Sequence, residues 1–264
     1  MSRNFTLTTD QRAAFERTGL LRLPGFFPRE IFPPMADAVW ADLDARNGVR
    51  RDDPATWTVT RPFQFGPLVR SGAFDALGTP EVGDLADALL GPGRWERPPR
   101  WGGTVLVTFH DPTPYPRVAW HFDLPGPGRP WPFPVLRLFA FLEPVGPGGG
   151  GTLCIAGSAA LVARLAPGPV SSQRLRKRVR ASYPALAALC DAPGDRLADM
   201  IGVRHEIDGV EVVITELSGE PGDAVIMHPL TLHAGVNNRR DRPRMMLAQS
   251  ILGVPARRAQ AVAS

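Results

Sequence analysis

Apolar positions in the first ninety residues recur at helical spacing. Thr9-Asp10-Gln11 opens a segment carrying Ala13, Ala14 and Phe15, and Gly19 stands where such a helix ends. Leu20 to Phe27, interrupted by Pro24-Gly25, predicts a short strand and a turn. A longer helix begins at Pro28-Arg29-Glu30, with Met35, Val39, Trp40 and Leu43 along one face. Pro33-Pro34 must fall in its first turn, because a proline deeper inside clashes with the turn before it. A third helix runs from Thr79-Pro80-Glu81 to Leu90 and stops at Gly91-Pro92-Gly93.

From about residue 101 the spacing changes to that of strands. Thr104–Phe109, Val135–Leu142, Val210–Leu217, Ala224–His228 and Met245–Ala248 are apolar and rich in β-branched residues. Turns rich in Pro and Gly separate them, which predicts an antiparallel sandwich or barrel. Residues 159–200 interrupt this series with a helical pattern.

Composition narrows the class. With 44% hydrophobic and 21% charged residues in 264, the chain can build a substantial core, and wholesale disorder is excluded. No apolar run approaches the ~18 residues of a membrane span, and the first residues lack the apolar stretch of a secretory signal. Cys154 and Cys190 are too few for a disulfide framework, so reduced thiols and a cytoplasmic location are expected. The net charge of +4 is local: Arg174, Arg176, Lys177, Arg178 and Arg180 contribute five positive charges, leaving about −1 elsewhere. A solvated helix face is the plain reading of that run. The sharper one is a lid that attracts an acidic or carrier-linked substrate. No basic stripe interleaved with stacking aromatics exists, so neither nucleic acid nor membrane is expected as a partner.

His121-Phe122-Asp123 places an imidazole and a carboxylate two residues apart, on one side of an extended segment. Alone it means little, since about 0.3 such pairs arise by chance with 5 His and 17 Asp. A second feature gives it weight. The strand from Gly222-Asp223 leads through His228 to His233, and Asn237-Asn238 then predicts a hairpin that returns Arg244 beside His233. Two imidazoles and one carboxylate form the facial triad of non-haem Fe(II) oxygenases. A nearby guanidinium suits a dicarboxylate.

Taken in order, these segments resemble the phytanoyl-CoA dioxygenase family of Fe(II)/2-oxoglutarate-dependent oxygenases. The resemblance covers Leu7–Gln11, Gly19–Phe26, Trp120–Asp123, Gly149–Leu153, Gly222-Asp223, His228–His233, Asn237 and Arg244. It implies a mainly β fold with flanking α-helices, built on a double-stranded β-helix (jelly roll). The expected layout is one oxygenase domain over 1–264, mainly helical over 1–95. The β-helix core then spans 100–155 and 203–255, with an inserted segment or lid over 159–200. The resemblance assigns His121, Asp123 and His233 to Fe(II) and Arg244 to the far carboxylate of 2-oxoglutarate. His110 and Thr152, with Thr108, are further candidates for contact with co-substrate or substrate. The implied reaction converts 2-oxoglutarate and O2 to succinate and CO2 while hydroxylating a small organic substrate. Because Asp123 is retained, halogenation is not expected; desaturation, epimerisation and ring formation stay open.

Two positions depart from the family pattern. Ala159 stands where a histidine usually follows Gly-Ser, and Gly235 stands where a hydroxyl often assists 2-oxoglutarate. His228 is the rival distal ligand but reads better as a packed residue, and His205 reads as an exposed hairpin residue. Trp120, Trp131 and Phe133 suit either a substrate pocket or the core. Two other functions share this barrel. One is a non-catalytic small-molecule-binding or sensing protein, which has no need of all four polar residues. The other is a cupin-like enzyme with a different metal, for which Arg244 has no task.

Overall fold

The computed structural model describes residues 5–113, 118–123, 135–168 and 170–254. In chain order the elements are α1 (Thr9–Thr18), β1 (Leu20–Leu23), α2 (Phe32–Asn47), α3 (Gly66–Arg70) and α4 (Pro80–Leu90). There follow β2 (Trp95–Glu96), β3 (Thr104–Thr108), β4 (Val135–Phe141) and β5 (Leu153–Ala156). The inserted helices are α5 (Ser158–Arg164), α6 (Ser172–Ser182), α7 (Pro184–Cys190) and α8 (Gly194–Met200). The chain then runs through β6 (Arg204–Ile207), β7 (Val210–Glu216), β8 (Ala224–Met227), β9 (His233–Ala234) and β10 (Arg244–Gly253).

Local chemistry sets the helix ends. The Thr8 hydroxyl accepts from the Gln11 N–H while the Gln11 amide oxygen accepts from the Thr8 N–H, a reciprocal cap for α1. Gly19 and Gly48 end α1 and α2 in the left-handed conformation, where a side chain is strained. Pro33-Pro34 lies in the first turn of α2, as its chemistry requires.

Two antiparallel sheets face each other as a jelly roll. The larger has the order β1-β8-β4-β10-β2, with β3 also pairing β10; the smaller has the order β6-β7-β5-β9. Side-chain alternation divides the core into three. Phe139, Phe141, Val225, Met227, Met246 and Cys154 meet between the sheets. The intervening residues Leu138, Ala140, Ile226 and Leu247 join Met35, Val39 and Leu43 of α2 and Leu85 of α4 on the outer face of the larger sheet. Leu153, Ile155, Val212 and Ile214 pack under Leu161, Leu175, Val179 and Leu186 of the inserted helices. Burying each such side chain is worth about 1.5–3 kcal/mol, so both sheets are clamped from outside by helices.

Several strands were invisible to pattern. β5 follows a glycine run, β9 has two residues, and β6 begins with charged residues; pairing alone makes them strands. His205 lies in the β6–β7 hairpin, as expected, but is half-buried rather than exposed. Its Nε2 is enclosed without a hydrogen-bond partner among the described residues. No helix of the described residues is long and apolar enough to cross a membrane.

Candidate metal centre

His121 and His233 are held opposite each other by two backbone hydrogen bonds. The His121 N–H donates to the His233 carbonyl (3.0 Å), and the His233 N–H donates to the His121 carbonyl (2.8 Å). Their rings stand 4.2 Å apart between centroids. The Asp123 N–H donates to the Pro229 carbonyl at 3.0 Å, which fixes the end of the motif segment against the turn that separates β8 from β9, so the expected single strand from Gly222 to His233 is broken there. One ligand atom from each of His121, Asp123 and His233 lies within 4.8 Å of the others.

The hydrogen bonds select the tautomer. His121 Nδ1 lies 3.0 Å from the Ala119 carbonyl, and His233 Nδ1 lies 2.9 Å from the Thr231 carbonyl. A carbonyl only accepts, so each Nδ1 carries the proton and each Nε2 presents a lone pair. His233 Nε2 is 3.6 Å from Asp123 Oδ2. Burial holds the His233 imidazole below its ordinary pKa and so favours the neutral form that binds metals.

Arg244 is buried, and its side chain is fixed by two donated hydrogen bonds: Nη1 to the Gly150 carbonyl (2.6 Å) and Nη2 to the Thr108 hydroxyl (2.8 Å). Burial lowers its pKa to about 10, which leaves it charged at neutral pH. The expected hairpin is not what brings it there. His233 pairs with Cys154 in the smaller sheet and Arg244 with Thr108 in the larger, so the connection crosses between sheets. Asn238 makes the crossing: its buried amide donates to the carbonyls of Thr108 (3.1 Å) and Arg242 (2.6 Å). Arg244 shares the strand face of Met246 and Ala248, which looks between the sheets.

The glycine run has a structural task. Glu216 accepts from the N–H groups of Gly148 (2.7 Å) and Gly151 (2.8 Å), shaping the loop whose Gly150 carbonyl receives Arg244. A Cβ on Gly151 would stand 2.0 Å from the Leu217 carbonyl, so only glycine fits. Burial raises the Glu216 pKa, opposed by these N–H groups and by Arg244.

Other predicted residues fall elsewhere. Thr152 is buried, with its carbonyl accepting from the Leu217 N–H. His110 is exposed and sits beside Asn238, with Nδ1 3.3 Å from the Arg240 carbonyl. His228 packs near Phe15, and its Nδ1 accepts from the Leu230 N–H (3.2 Å), away from the three-residue group. Burial takes its pKa down to about 4. Ala159 is buried among Leu161 and Ile155, so this departure from the family pattern serves packing. A Cβ on Gly235 would meet open space. Trp120 is turned into the core under the inserted helices, while Trp131 and Phe133 lie outside the described residues.

Sequence reading missed Arg137, Arg61 and Glu216. Arg137 shares its strand face with Phe139 and Phe141, and its Nε lies 3.6 Å from Asp123 Oδ2. The signal was a lone charge at inward parity within an apolar strand. Arg61 contacts the Asn237 amide oxygen and adds positive charge near Arg244.

The profile of the phytanoyl-CoA dioxygenase family matches residues 15–246. A search of curated proteins finds no match to the chain. Among solved structures, AviO1 from Streptomyces viridochromogenes Tue57 is similar, with TM-score 0.53 and 18% identity over 95% of this chain and 98% of its own. The carbocyclase SnoK from nogalamycin biosynthesis has TM-score 0.56 and 16% identity, over 94% and 85%. HygX from Streptomyces hygroscopicus, solved with nickel and 2-oxoglutarate bound, has TM-score 0.50 and 16% identity, over 95% and 88%. At such identities the likeness is one of fold.

Proposed function

The chain belongs to the phytanoyl-CoA dioxygenase family, and from that premise we propose that it is an Fe(II)/2-oxoglutarate-dependent dioxygenase hydroxylating a small organic substrate. His121, Asp123 and His233 are the proposed iron ligands, and Arg244 receives the far carboxylate of 2-oxoglutarate. The observation that carries this reading is the pair of Nδ1–carbonyl contacts, which leave two imidazole lone pairs beside one carboxylate. The donor set also suits the ion. Asp123 Oδ2 and Arg244 Nε are buried and lack hydrogen-bond partners among the described residues, as expected of groups that await a cation and an anion.

In this reading each residue has a physical task. The Ala119 and Thr231 carbonyls fix ring orientation and raise imidazole basicity. Thr108 and Gly150 hold Arg244 rigid, so its fork is set before a carboxylate arrives. Held by His121, Asp123 and His233, iron together with 2-oxoglutarate would supply the activation of dioxygen that no side chain offers. Phe139 and Phe141, packed in the core between the sheets, keep the surroundings of the inward-facing strand positions apolar, which disfavours competing water. Retention of Asp123 favours hydroxylation over halogenation.

Aerobic incubation with Fe(II), ascorbate and 2-oxoglutarate tests the activity. The wild type is expected to form succinate slowly without substrate, and His233→Ala to form none. Equal succinate from both proteins contradicts the reading.

A further inference from the structure

The basic run at 174–180 has a setting that the proposed iron centre does not use. α6 turns Leu175 and Val179 into the core and leaves its cationic side chains exposed. Arg180 pairs with Asp191 at 2.5 Å, and Arg178 donates to the Leu165 carbonyl at 3.3 Å. Arg176 and Lys177 have no ion-pair partner among the described residues.

Beneath this helix lies a cavity of about 470 Å³, walled by Trp120, Phe122, Leu186 and Leu232 and bordered by Arg176 and Lys177. That volume lies in the range that holds small organic ligands, and an apolar wall with few polar groups is the usual composition. Cys190 adds to the apolar wall: burial pushes its thiol up to about 12, so it stays protonated. Trp120 and Phe122 alternate with His121 and Asp123 along one extended segment and belong to the core under the inserted helices. The cavity therefore lies behind the metal-motif segment and is separate from the space between the sheets.

We propose that this cavity is a second binding site, for an amphipathic organic anion. Its hydrocarbon body packs on Trp120, Phe122 and Leu186, and its phosphate or carboxylate head meets Arg176 and Lys177. Two unpaired cations at the mouth of an apolar cavity match that polarity. A neutral apolar ligand leaves the charges unused, and a compact inorganic anion leaves the apolar wall wet. The inference is independent of iron and 2-oxoglutarate.

Calorimetry on the full-length protein with octyl phosphate as probe tests it. One molecule is expected to bind per chain, more weakly as salt is raised. Shortening the probe to butyl phosphate should weaken binding about fourfold per lost buried methylene. Arg176→Glu with Lys177→Glu should weaken octyl phosphate about tenfold or more. Arg17→Glu with Arg70→Glu, an equal charge change at exposed remote positions, should leave it unaltered. All four positions are exposed, so folding is not at issue, and thermal melts verify it. The proposal is overturned if octyl phosphate fails to bind. It is equally overturned if butyl phosphate or octyltrimethylammonium binds as tightly, or if both double variants behave alike.

Discussion

Arg137 Nε stands 3.6 Å from Asp123 Oδ2, on the side of the carboxylate that also faces His233 Nε2 at 3.6 Å. The guanidinium is anchored from behind, since Nη1 donates to the Ser250 hydroxyl at 2.7 Å. On the proposed assignment of Asp123 to iron, Arg137 is a positioning residue: its charge lies within ion-pair distance of one carboxylate oxygen without a hydrogen bond to it. Arg137→Leu should weaken Fe(II) binding about 10–100-fold, the usual cost of losing a ligand's supporting partner. Arg137→Lys should recover part of that loss. Anaerobic Fe(II) titration of both variants checks it, and wild-type affinity in Arg137→Leu dismisses the role.

Asp123→Ala should abolish iron binding and turnover while leaving the fold intact. The backbone N–H that anchors this residue to Pro229 survives the substitution. Iron content by elemental analysis, with circular dichroism as the folding control, decides between loss of site and loss of structure.

His228 gives a pH prediction. Its pKa falls from the ordinary 6.5 to about 4 because burial disfavours the charged ring. Between those values the unfolded chain binds a proton that the folded chain refuses, so stability is complete above pH 6.5 and declines as pH falls toward 4. The full loss is of order 3 kcal/mol. His228→Asn keeps an acceptor for the Leu230 N–H but cannot titrate. Its melting temperature should fall less than the wild type's between pH 7.5 and 5, and it should retain iron. Should this variant lose iron while His233→Ala keeps it, the ligand set has been drawn one turn too late.

Much of this fold was legible in the chain. The capped helices and the longer strands announced themselves through spacing, glycine stops and β-branched runs. What escaped was decided by tertiary partners. Leu153–Ala156 looks like the tail of a glycine loop until β7 and β9 pair with it. The Asn237-Asn238 turn reads as a hairpin because sequence says that the chain turns, not which sheet it enters next. Of the site, the HxD pair and His233 were readable as a constellation. Arg137 was readable only by parity, and the link from Glu216 through the glycine loop to Arg244 left no mark in local sequence.

Gly235 offers a test by addition. A side chain there meets open space, and the family resemblance leads us to expect a hydroxyl at this place. Gly235→Ser should fold normally and tighten 2-oxoglutarate binding by up to about tenfold, the worth of roughly one added hydrogen bond of 0.5–1.5 kcal/mol. Anaerobic calorimetry measures it. Unchanged or weaker binding places the co-substrate away from this turn.

The co-substrate assignment is the centre of the account, and one measurement addresses it. Fe(II)-loaded protein is titrated anaerobically with 2-oxoglutarate while visible charge-transfer absorption is followed. Wild type should develop the band of an iron-chelated keto acid and saturate. Arg244→Ala should need about 30- to several-thousand-fold more 2-oxoglutarate, the cost of ~2–5 kcal/mol for removing one partner of a buried charge pair. Arg242→Ala, at an exposed position before the same strand, should titrate like wild type. The account is contradicted if no band develops in wild type, or if Arg244→Ala saturates normally while Arg242→Ala fails.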